Sequence, residues 1–158
     1  MQITLREITA QTVRHITNLS VDAEQLRFVA SNAISLAEAL FNDEAWYRAI
    51  YADESPAGFV MLYDESLRPT PPAAPLIGLW RFMIDSKFQG QGVGAAALQL
   101  VIAHVRGKAL YSSLSASYVP GPGCPEQFYL RVGFQHTGKV DGGEVVLELP
   151  LKPHAQDV

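Results

Sequence analysis

The sequence predicts a mixed α/β fold in which helices pack on a sheet of about seven strands. Segments with the period of a strand alternate with segments whose apolar residues recur every three or four positions, as in helices. A length of 158 residues, with 48% hydrophobic and 18% charged residues, is typical of one packed domain, taken here as residues 1–158. Two Pro/Gly-rich stretches, at 68–75 and 119–125, are too short to separate domains.

Four strands are predicted in the first half of the chain, at residues 2–8, 47–52, 57–63 and 76–84. The last of these, LIGLWRFMI, is apolar on nearly both faces, which indicates a central strand covered from both sides. Residues 53–56 are predicted to form the turn before the third strand. Asp22 and Gln25 resemble a capping pair, and they begin a predicted helix whose apolar stripe runs from Leu26 to Leu40.

The second half is predicted to contain a helix, a strand, a second helix and two strands, at residues 92–105, 111–117, 126–132, 134–137 and 144–151. The first helix is expected to end at Gly107 and the second at Gly133. The last two strands are predicted to form a hairpin, because Asp-Gly-Gly at residues 141–143 is a strong turn sequence.

Composition excludes several classes of protein. The single cysteine, Cys124, rules out an internal disulfide and any multi-cysteine zinc site. A net charge of −4 disfavours nucleic acid as a partner, and no apolar run reaches the roughly 18–20 residues of a membrane span. The charged start, MQITLREIT, is not typical of a signal peptide, so we expect a soluble, cytoplasmic protein. No metal is expected, because the histidines lack ligand spacing; they are His15, His104, His136 and His154.

A glycine-rich segment joins the predicted central strand to the next helix, and its sequence is Gln89-Gly90-Gln91-Gly92-Val93-Gly94. Glycine lets the backbone approach a ligand closely and adopt positive φ. A helix start offers unpaired N–H groups and the positive end of the helix dipole. This combination favours a phosphate or pyrophosphate ligand, although the glycines alone are equally typical of a tight turn without a ligand.

Two known phosphate-binding motifs fit this segment poorly. A Walker A loop requires Gly-Lys-Ser/Thr, whereas Gly94 is followed by two alanines. The dinucleotide-binding fingerprint accepts the pattern of Gly92, Gly94 and Ala97, but it requires an acidic residue about 20 positions later. No Asp or Glu lies between Asp85 and Glu126, so this interpretation is disfavoured as well.

The glycine-rich segment resembles the Q/R-x-x-G-x-G/A coenzyme A signature of the GNAT superfamily of N-acetyltransferases. Residues 128–134, FYLRVGF, are similar to the tyrosine-then-Gly-Phe motif that closes this fold. Blocks at 28–39, 49–64 and 79–85 look closest to bacterial spermine/spermidine acetyltransferases. The resemblance implies the GNAT fold, a mostly antiparallel sheet with helices on both faces that is splayed at its fourth and fifth strands.

The resemblance also implies which residues form the site. The backbone of Phe82, Met83 and Ile84 is expected to bind the pantetheine arm of acetyl-CoA and to polarise the thioester carbonyl. The pyrophosphate is expected to bind at the loop residues Gln89, Gly90, Gln91, Gly92, Val93 and Gly94. Tyr129 is expected to protonate the departing thiolate, although a tyrosine with apolar neighbours is also typical of a core position.

The sequence does not single out the base that deprotonates the amine. Glu38, on the helix that flanks the acceptor side, is the preferred candidate, and Glu24 and Glu44 are alternatives. For each of the three, a solvated helix face is the favoured interpretation. Pro122 departs from the family pattern, because it stands where an asparagine usually helps hold the cofactor.

We therefore predict an acetyl-CoA-dependent N-acetyltransferase in which a primary amine attacks directly, with a polyamine such as spermidine or spermine as acceptor. A peptide or protein amine and an aminoglycoside-like antibiotic are the alternative acceptors. A third hypothesis is a module that binds acetyl-CoA without turnover, prompted by the Pro/Gly-rich segment around Pro122. The resemblance is also compatible with a homodimer.

Overall fold

The computed structural model describes residues 1–151, and its strands follow the predicted order. The strands are Ile3–Arg6 (β1), Ala45–Ala52 (β2), Ser55–Asp64 (β3), Ile77–Ile84 (β4), Ser113–Tyr118 (β5), Gln135–Asp141 (β6) and Glu144–Pro150 (β7). The α-helices are Val13–Thr17 (α1), Asn32–Ala39 (α2), Val93–Lys108 (α3) and Glu126–Val132 (α4). Of these helices, the short α1 was not predicted.

All seven strands form one sheet, in the order β1-β2-β3-β4-β5-β7-β6. Neighbouring strands are antiparallel except β4 and β5, which run parallel. A parallel pair requires a long crossover connection, and α3 provides it. The predicted fold class, a mixed and mostly antiparallel sheet with helices on both faces, is confirmed.

The strands β4 and β5 separate soon after they meet. They are paired only at Ile77 and Gly78 of β4, although β4 continues to Ile84 and β5 to Tyr118. On its other edge, β4 is paired with β3 along nearly its whole length. The predicted splay between the fourth and fifth strands is therefore present, and it leaves one edge of β4 without a strand partner over residues 79–84.

Two apolar cores pack against the sheet, one on each face. The larger core lies under α3 and α4 and includes Val60 and Leu62 of β3. The smaller core lies on the opposite face, against α1 and α2, and includes Phe59 and Met61. Successive residues of β3 thus alternate between two buried faces, as expected for a central strand. Residues of β4 divide between the cores in the same way, as its apolar sequence predicts.

The helix predicted after Asp22 and through Leu40 is broken into two elements, so that prediction is wrong. A 3-10 turn covers Ala23–Phe28, and α2 begins only after Ser31. The hydroxyl of Ser31 accepts the backbone N–H of Ile34 at 3.2 Å, which caps a new helix and explains the break. Because of the break, Leu40 is not in the core but is 81% exposed.

The end of α3 also differs from the prediction. The helix passes Gly107 and ends after Lys108, where Ala109 adopts a left-handed φ of 54°. The ammonium of Lys108 donates to the buried carboxylate of Asp64 at 2.7 Å. This tertiary contact stabilises the last turn beyond the glycine, which local sequence rules do not anticipate.

Two turns were predicted between neighbouring strands, and the structure agrees fully with only one of these predictions. The turn between β2 and β3 is shorter than predicted, because only Asp53 and Glu54 lie outside the strands. The turn between β6 and β7 is confirmed, with Gly142 at a φ of 57° and Gly143 at 83°. Strand β6 extends up to this turn, further than its sequence pattern predicts.

Candidate active site

The splay between β4 and β5 opens a cleft of about 1240 Å³. Its walls include the unpaired edge of β4, the glycine-rich loop, the start of α3, the helix α4 and the end of β5. The predicted site residues that line it are Phe82, Met83, Ile84, Gln89, Gly90, Gly92, Val93, Gly94 and Tyr129. Gln91 and Glu38 do not line it. The fold therefore brings the coenzyme A loop and Tyr129 to one cavity.

The unpaired edge of β4 offers main-chain groups to a ligand, whereas its side chains belong to the cores. Met83 packs in the smaller core and Ile84 in the larger one. The ring of Phe82 stacks on Phe128 of α4, with ring centroids 5.9 Å apart. Side chains of a strand point up and down while its N–H and C=O groups point sideways. β4 is thus a core strand and also an edge with which an extended ligand can pair.

Asp85 turns the chain from β4 into the glycine-rich loop. Its buried carboxylate accepts the N–H of Ser20 at 2.8 Å and the N–H of Lys87 at 3.2 Å. Its own N–H donates to the carbonyl of Ala57 at 2.8 Å. These bonds attach the start of the loop to two distant segments, so the position of the loop depends on the tertiary structure.

The glycines of the loop leave its backbone open to a ligand. Gly90 and Gly92 have φ values of 74° and 81°, which other residues rarely adopt. A Cβ added at either position would meet no atom within 4 Å. Gly92 is also the N-cap of α3, and no side chain caps that helix. The first N–H groups of α3 are therefore available, and a pyrophosphate fits such a site.

The side chains of Gln89 and Gln91 form hydrogen bonds within the protein that stabilise the loop. The amide of Gln89 donates to Oε1 of Gln25 and to the carbonyl of Ile84, both at 2.9 Å. The amide of Gln91 donates to the carbonyl of Lys87 at 3.0 Å. We therefore expect any contribution of these glutamines to a phosphate site to come from their backbone.

Tyr129 lies on α4 between two aromatic rings. Its ring meets Phe128 edge-on at 5.5 Å and Phe134 at 5.4 Å between centroids. Burial raises the pKa of the Tyr129 hydroxyl above its usual value, and the charge of Glu144 raises it further. A tyrosine with its ordinary pKa of about 10 is already protonated at neutral pH. The raised pKa keeps the hydroxyl of Tyr129 in this state, which a general acid requires.

The three candidate bases do not line the cleft. The carboxylate of Glu38 accepts a hydrogen bond from Nη2 of Arg81 at 3.2 Å, and Arg81 is itself one of the residues that line the cleft. Glu44 forms an ion pair with Arg68 at 2.7 Å, and Glu24 is exposed. The role of Glu38 as the base stays a prediction.

The acidic residue that does line the cleft is Glu144, at the start of β7. The hydroxyl of Ser117 on β5 donates to its carboxylate at 3.4 Å. Sequence reasoning missed Glu144 because it considered only acidic residues on or near the predicted first helix. The alternation of polar and apolar residues in β7 assigns Glu144 to a face, but only the strand order brings that face to the splay.

The Pro/Gly-rich segment 119–125 does not prevent α4 from forming. The helix covers residues 126–132, which is the range that the sequence predicts. It lacks a side-chain cap at its N-terminus. The carbonyl of Pro122 accepts a hydrogen bond from Nη2 of Arg27 at 2.9 Å. This bond joins the segment to the 3-10 turn Ala23–Phe28, and both segments contribute to the cleft wall.

Comparison with known proteins agrees with this geometry. The sequence model of the Acetyltransferase (GNAT) family matches residues 10–134. The chain belongs to this family. As a GNAT acetyltransferase, it is an acetyl-CoA-dependent N-acetyltransferase, and acetyl-CoA is its cosubstrate. The open glycine-rich backbone, the uncapped start of α3 and the unpaired edge of β4 fit that cosubstrate.

Relatives of this GNAT acetyltransferase act on different amines, as their names state. The chain is 28% identical over 159 residues to a spermine/spermidine N(1)-acetyltransferase of Bacillus subtilis (strain 168), covering 93% of this chain and 97% of the relative. It is 27% identical over 104 residues to an L-2,4-diaminobutyric acid acetyltransferase of Streptomyces avermitilis, covering 66% of this chain and 55% of the relative. The crystal structure of aminoglycoside acetyltransferase AAC(6')-Ib with coenzyme A superposes with a TM-score of 0.75 at 14% identity, covering 94% and 95% of the two chains. This last similarity shows the shared fold.

Residues 1–151 contain neither a metal-binding cluster nor a membrane-spanning helix. In this range no group of three or more His, Cys, Asp or Glu side chains is arranged to hold a metal ion, and His154 lies outside it. None of the helices described there has the length and apolar character needed to cross a membrane. The cytoplasmic location, the absence of a nucleic-acid partner and the homodimer stay predictions.

Proposed function

We propose that this GNAT acetyltransferase transfers the acetyl group of acetyl-CoA to a primary amine of a polyamine, by direct attack of the amine. The splay of β4 from β5 supports the proposal most strongly, because the free edge at 82–84, the glycine-rich loop and Tyr129 all border the cleft that it opens. The polyamine as acceptor is supported by two Bacillus subtilis relatives that are 28% identical and named for spermine or spermidine.

Acetyl-CoA supplies the acetyl group as an activated thioester. In this proposal, the backbone at 82–84 pairs with the extended arm of the cosubstrate and donates an N–H to the carbonyl oxygen, where negative charge develops. The backbone of residues 89–94 and the start of α3 bind the pyrophosphate. Tyr129 donates its hydroxyl proton to the leaving sulfur when the amine nitrogen has bonded to the carbonyl carbon.

The acceptor also needs a base. An alkylammonium group has a pKa near 10, so at neutral pH it must lose a proton before the nitrogen can attack. We keep Glu38 as the proposed base. Because Glu38 does not line the cleft and is bonded to Arg81, which does, it would accept the proton through a water molecule.

The proposed function is tested by measuring release of free coenzyme A thiol from acetyl-CoA with separate acceptors. The panel contains spermidine, spermine, putrescine, L-2,4-diaminobutyrate, a lysine peptide and an aminoglycoside. We expect fast release with the polyamines and slow release with the others. Release only with another amine would keep the acetyl transfer and contradict the polyamine. No release in a protein that binds acetyl-CoA tightly would contradict turnover and favour a binding module.

A further inference from the structure

In the proposed function, the cosubstrate and the acceptor are expected to reach the splay from opposite faces of the sheet. Helices α3 and α4, which carry the proposed pyrophosphate site and Tyr129, cover the face that holds the larger core. A second reactant must approach the thioester from the side that the first leaves open, with its reacting nitrogen close to the carbonyl carbon. The acceptor therefore lies toward the opposite face.

That opposite face is polar where β5 forms it. Leu114, Ala116 and Tyr118 of β5 pack in the larger core. Because the side chains of a strand alternate between faces, Ser115 and Ser117 lie on the other face. The hydroxyl of Ser115 is hydrogen bonded to that of Tyr63 on β3 at 3.2 Å, beside Gly78, where β4 and β5 are still paired. Ser117 lies further along β5 and lines the cleft.

Glu144 adds a carboxylate to the same face. Val145, Leu147 and Leu149 of β7 pack with the larger core, so Glu144 faces the opposite way. The hydroxyl of Ser117 donates to the Glu144 carboxylate at 3.4 Å and so restrains it at the cleft wall. The charge of Glu144 also contributes to the raised pKa of Tyr129, which is consistent with both groups bordering the cleft.

Among the described residues that line the cleft, Glu144 is the only acidic one. The cationic residues of the cleft are Arg27, Arg81 and Arg131. The guanidinium of Arg81 is paired with Glu38, and that of Arg27 donates to a backbone carbonyl. None of the ion pairs found within residues 1–151 includes Glu144. Its carboxylate is therefore available to a cation of the substrate.

We propose that Glu144 binds a second positively charged group of the acceptor, so that the site selects diamines and polyamines over monoamines. The inference rests on the proposed function and assigns a residue to its acceptor specificity. The reacting nitrogen must lie beside Tyr129 and the thioester. Within residues 1–151 no hydrogen bond joins Glu144 to Tyr129. In this proposal the carboxylate of Glu144 meets a cation further along the acceptor than the reacting nitrogen.

The test compares two acceptors with the same four-carbon chain, putrescine with two ammonium groups and n-butylamine with one. In Glu144→Gln we expect kcat/KM for putrescine and for spermidine to fall about 10–100-fold, the range for loss of a charged hydrogen bond. We expect kcat/KM for n-butylamine to change less than about threefold and the KM for acetyl-CoA to stay constant. The matched control is Glu148→Gln, an exposed glutamate on the same strand and face, which should leave all four values unchanged.

Equal losses for putrescine and n-butylamine would overturn the inference, because Glu144 would then act on the reacting nitrogen or on the fold. An unchanged kcat/KM for putrescine would overturn it as well. A binding measurement separates this result from the fate of the proposed function. Spermidine binding to the coenzyme A complex, measured by calorimetry, should weaken at least about tenfold in Glu144→Gln. Such weakening without any acetyl transfer in the parent protein would support the role of Glu144 and contradict the proposed function.

Discussion

The two ends of β4 are built differently although they belong to one strand. At Ile77 and Gly78 the strand is paired on both sides, and a Cβ added at Gly78 would lie 2.3 Å from the ring of Tyr63 and 2.5 Å from Oγ of Ser115. Over residues 79–84 it has a strand partner on one side only and borders the cleft. The closed end determines where the two strands diverge, and the open end is left free for a ligand.

A buried polar cluster strengthens the closed end. The carboxylate of Asp64, at the end of β3, accepts hydrogen bonds from Lys108 at 2.7 Å, from the Tyr111 hydroxyl at 2.6 Å and from the N–H of Ser66 at 2.9 Å. These bonds join β3 to the end of α3 and to the segment before β5. The closed end thus has a structural role, whereas the open end borders the cleft with the proposed catalytic and binding groups, so substitutions at the two ends should change different measured quantities.

At the open end, the largest effect is expected for Tyr129→Phe. Removal of the hydroxyl should lower kcat by about 100–10,000-fold, the usual range for a general acid, while the Kd for acetyl-CoA and the unfolding temperature change little. Steady-state kinetics and calorimetry check this. The matched control is Tyr111→Phe at the closed end, which should lower stability and leave kcat near its parent value. If Tyr129→Phe retains full turnover, Tyr129 has no catalytic role.

At the closed end, Asp64→Asn should destabilise the protein by about 1–3 kcal/mol near neutral pH, because it removes a charged acceptor from Lys108 and Tyr111. Burial alone would raise the pKa of Asp64, but the hydrogen bonds from Lys108, Tyr111 and Ser66 outweigh it and lower the pKa.

A carboxyl group with a lowered pKa contributes stability above its unfolded value of about 3.9 and loses it as the pH falls through the folded value. Urea unfolding of the parent protein should therefore show stability falling below about pH 4, and Asp64→Asn should show a flatter acid limb. Parallel curves for the two proteins would show that Asp64 makes no pH-dependent contribution.

Packing at the divergence point is tested by Gly78→Ala. The added methyl group overlaps Tyr63 and Ser115, and overpacking of this kind costs about 1–3 kcal/mol in the free energy of unfolding. Gly107→Ala is the control, because it lies within α3 with no atom within 4 Å of the added Cβ, and it should stabilise the protein by up to about 1 kcal/mol. Equal stability of Gly78→Ala and the parent protein would show that Tyr63 and Ser115 can move to accommodate the added methyl group without cost.

The smallest effect is expected for Glu38→Gln. Glu38 is bonded to Arg81, which lies in the middle of β4 between its two ends. As a base acting through water, Glu38 should contribute at most about 100-fold to kcat near pH 7, the lower end of the usual range for a general base. The loss should diminish at higher pH, because the acceptor amine then deprotonates without help. A change confined to the KM of the acceptor, with no dependence on pH, would instead show that Glu38 only positions Arg81.

Much of the fold and part of the site could be predicted from the sequence. The helix 126–132 and the Asp-Gly-Gly turn agree with the structure because local hydrogen bonding and backbone φ preferences determine them. The glycine-rich loop is recognisable in the sequence because its backbone adopts positive φ values at Gly90 and Gly92, which glycine alone adopts readily. The predicted helix through Leu40 failed because a single cap at Ser31 outweighed the apolar pattern.

The sequence by itself determined the order of the strands and of the last two helices, the double burial of β4 and the position of the glycine-rich loop, because these depend on residue patterns a few positions apart. The tertiary structure alone decided that α3 extends past Gly107, that Glu38 pairs with Arg81 and that Glu144 faces the cleft. Each of these outcomes depends on a contact between residues far apart in the chain. Such contacts are selected by the packing of the whole sheet, and no local preference encodes them.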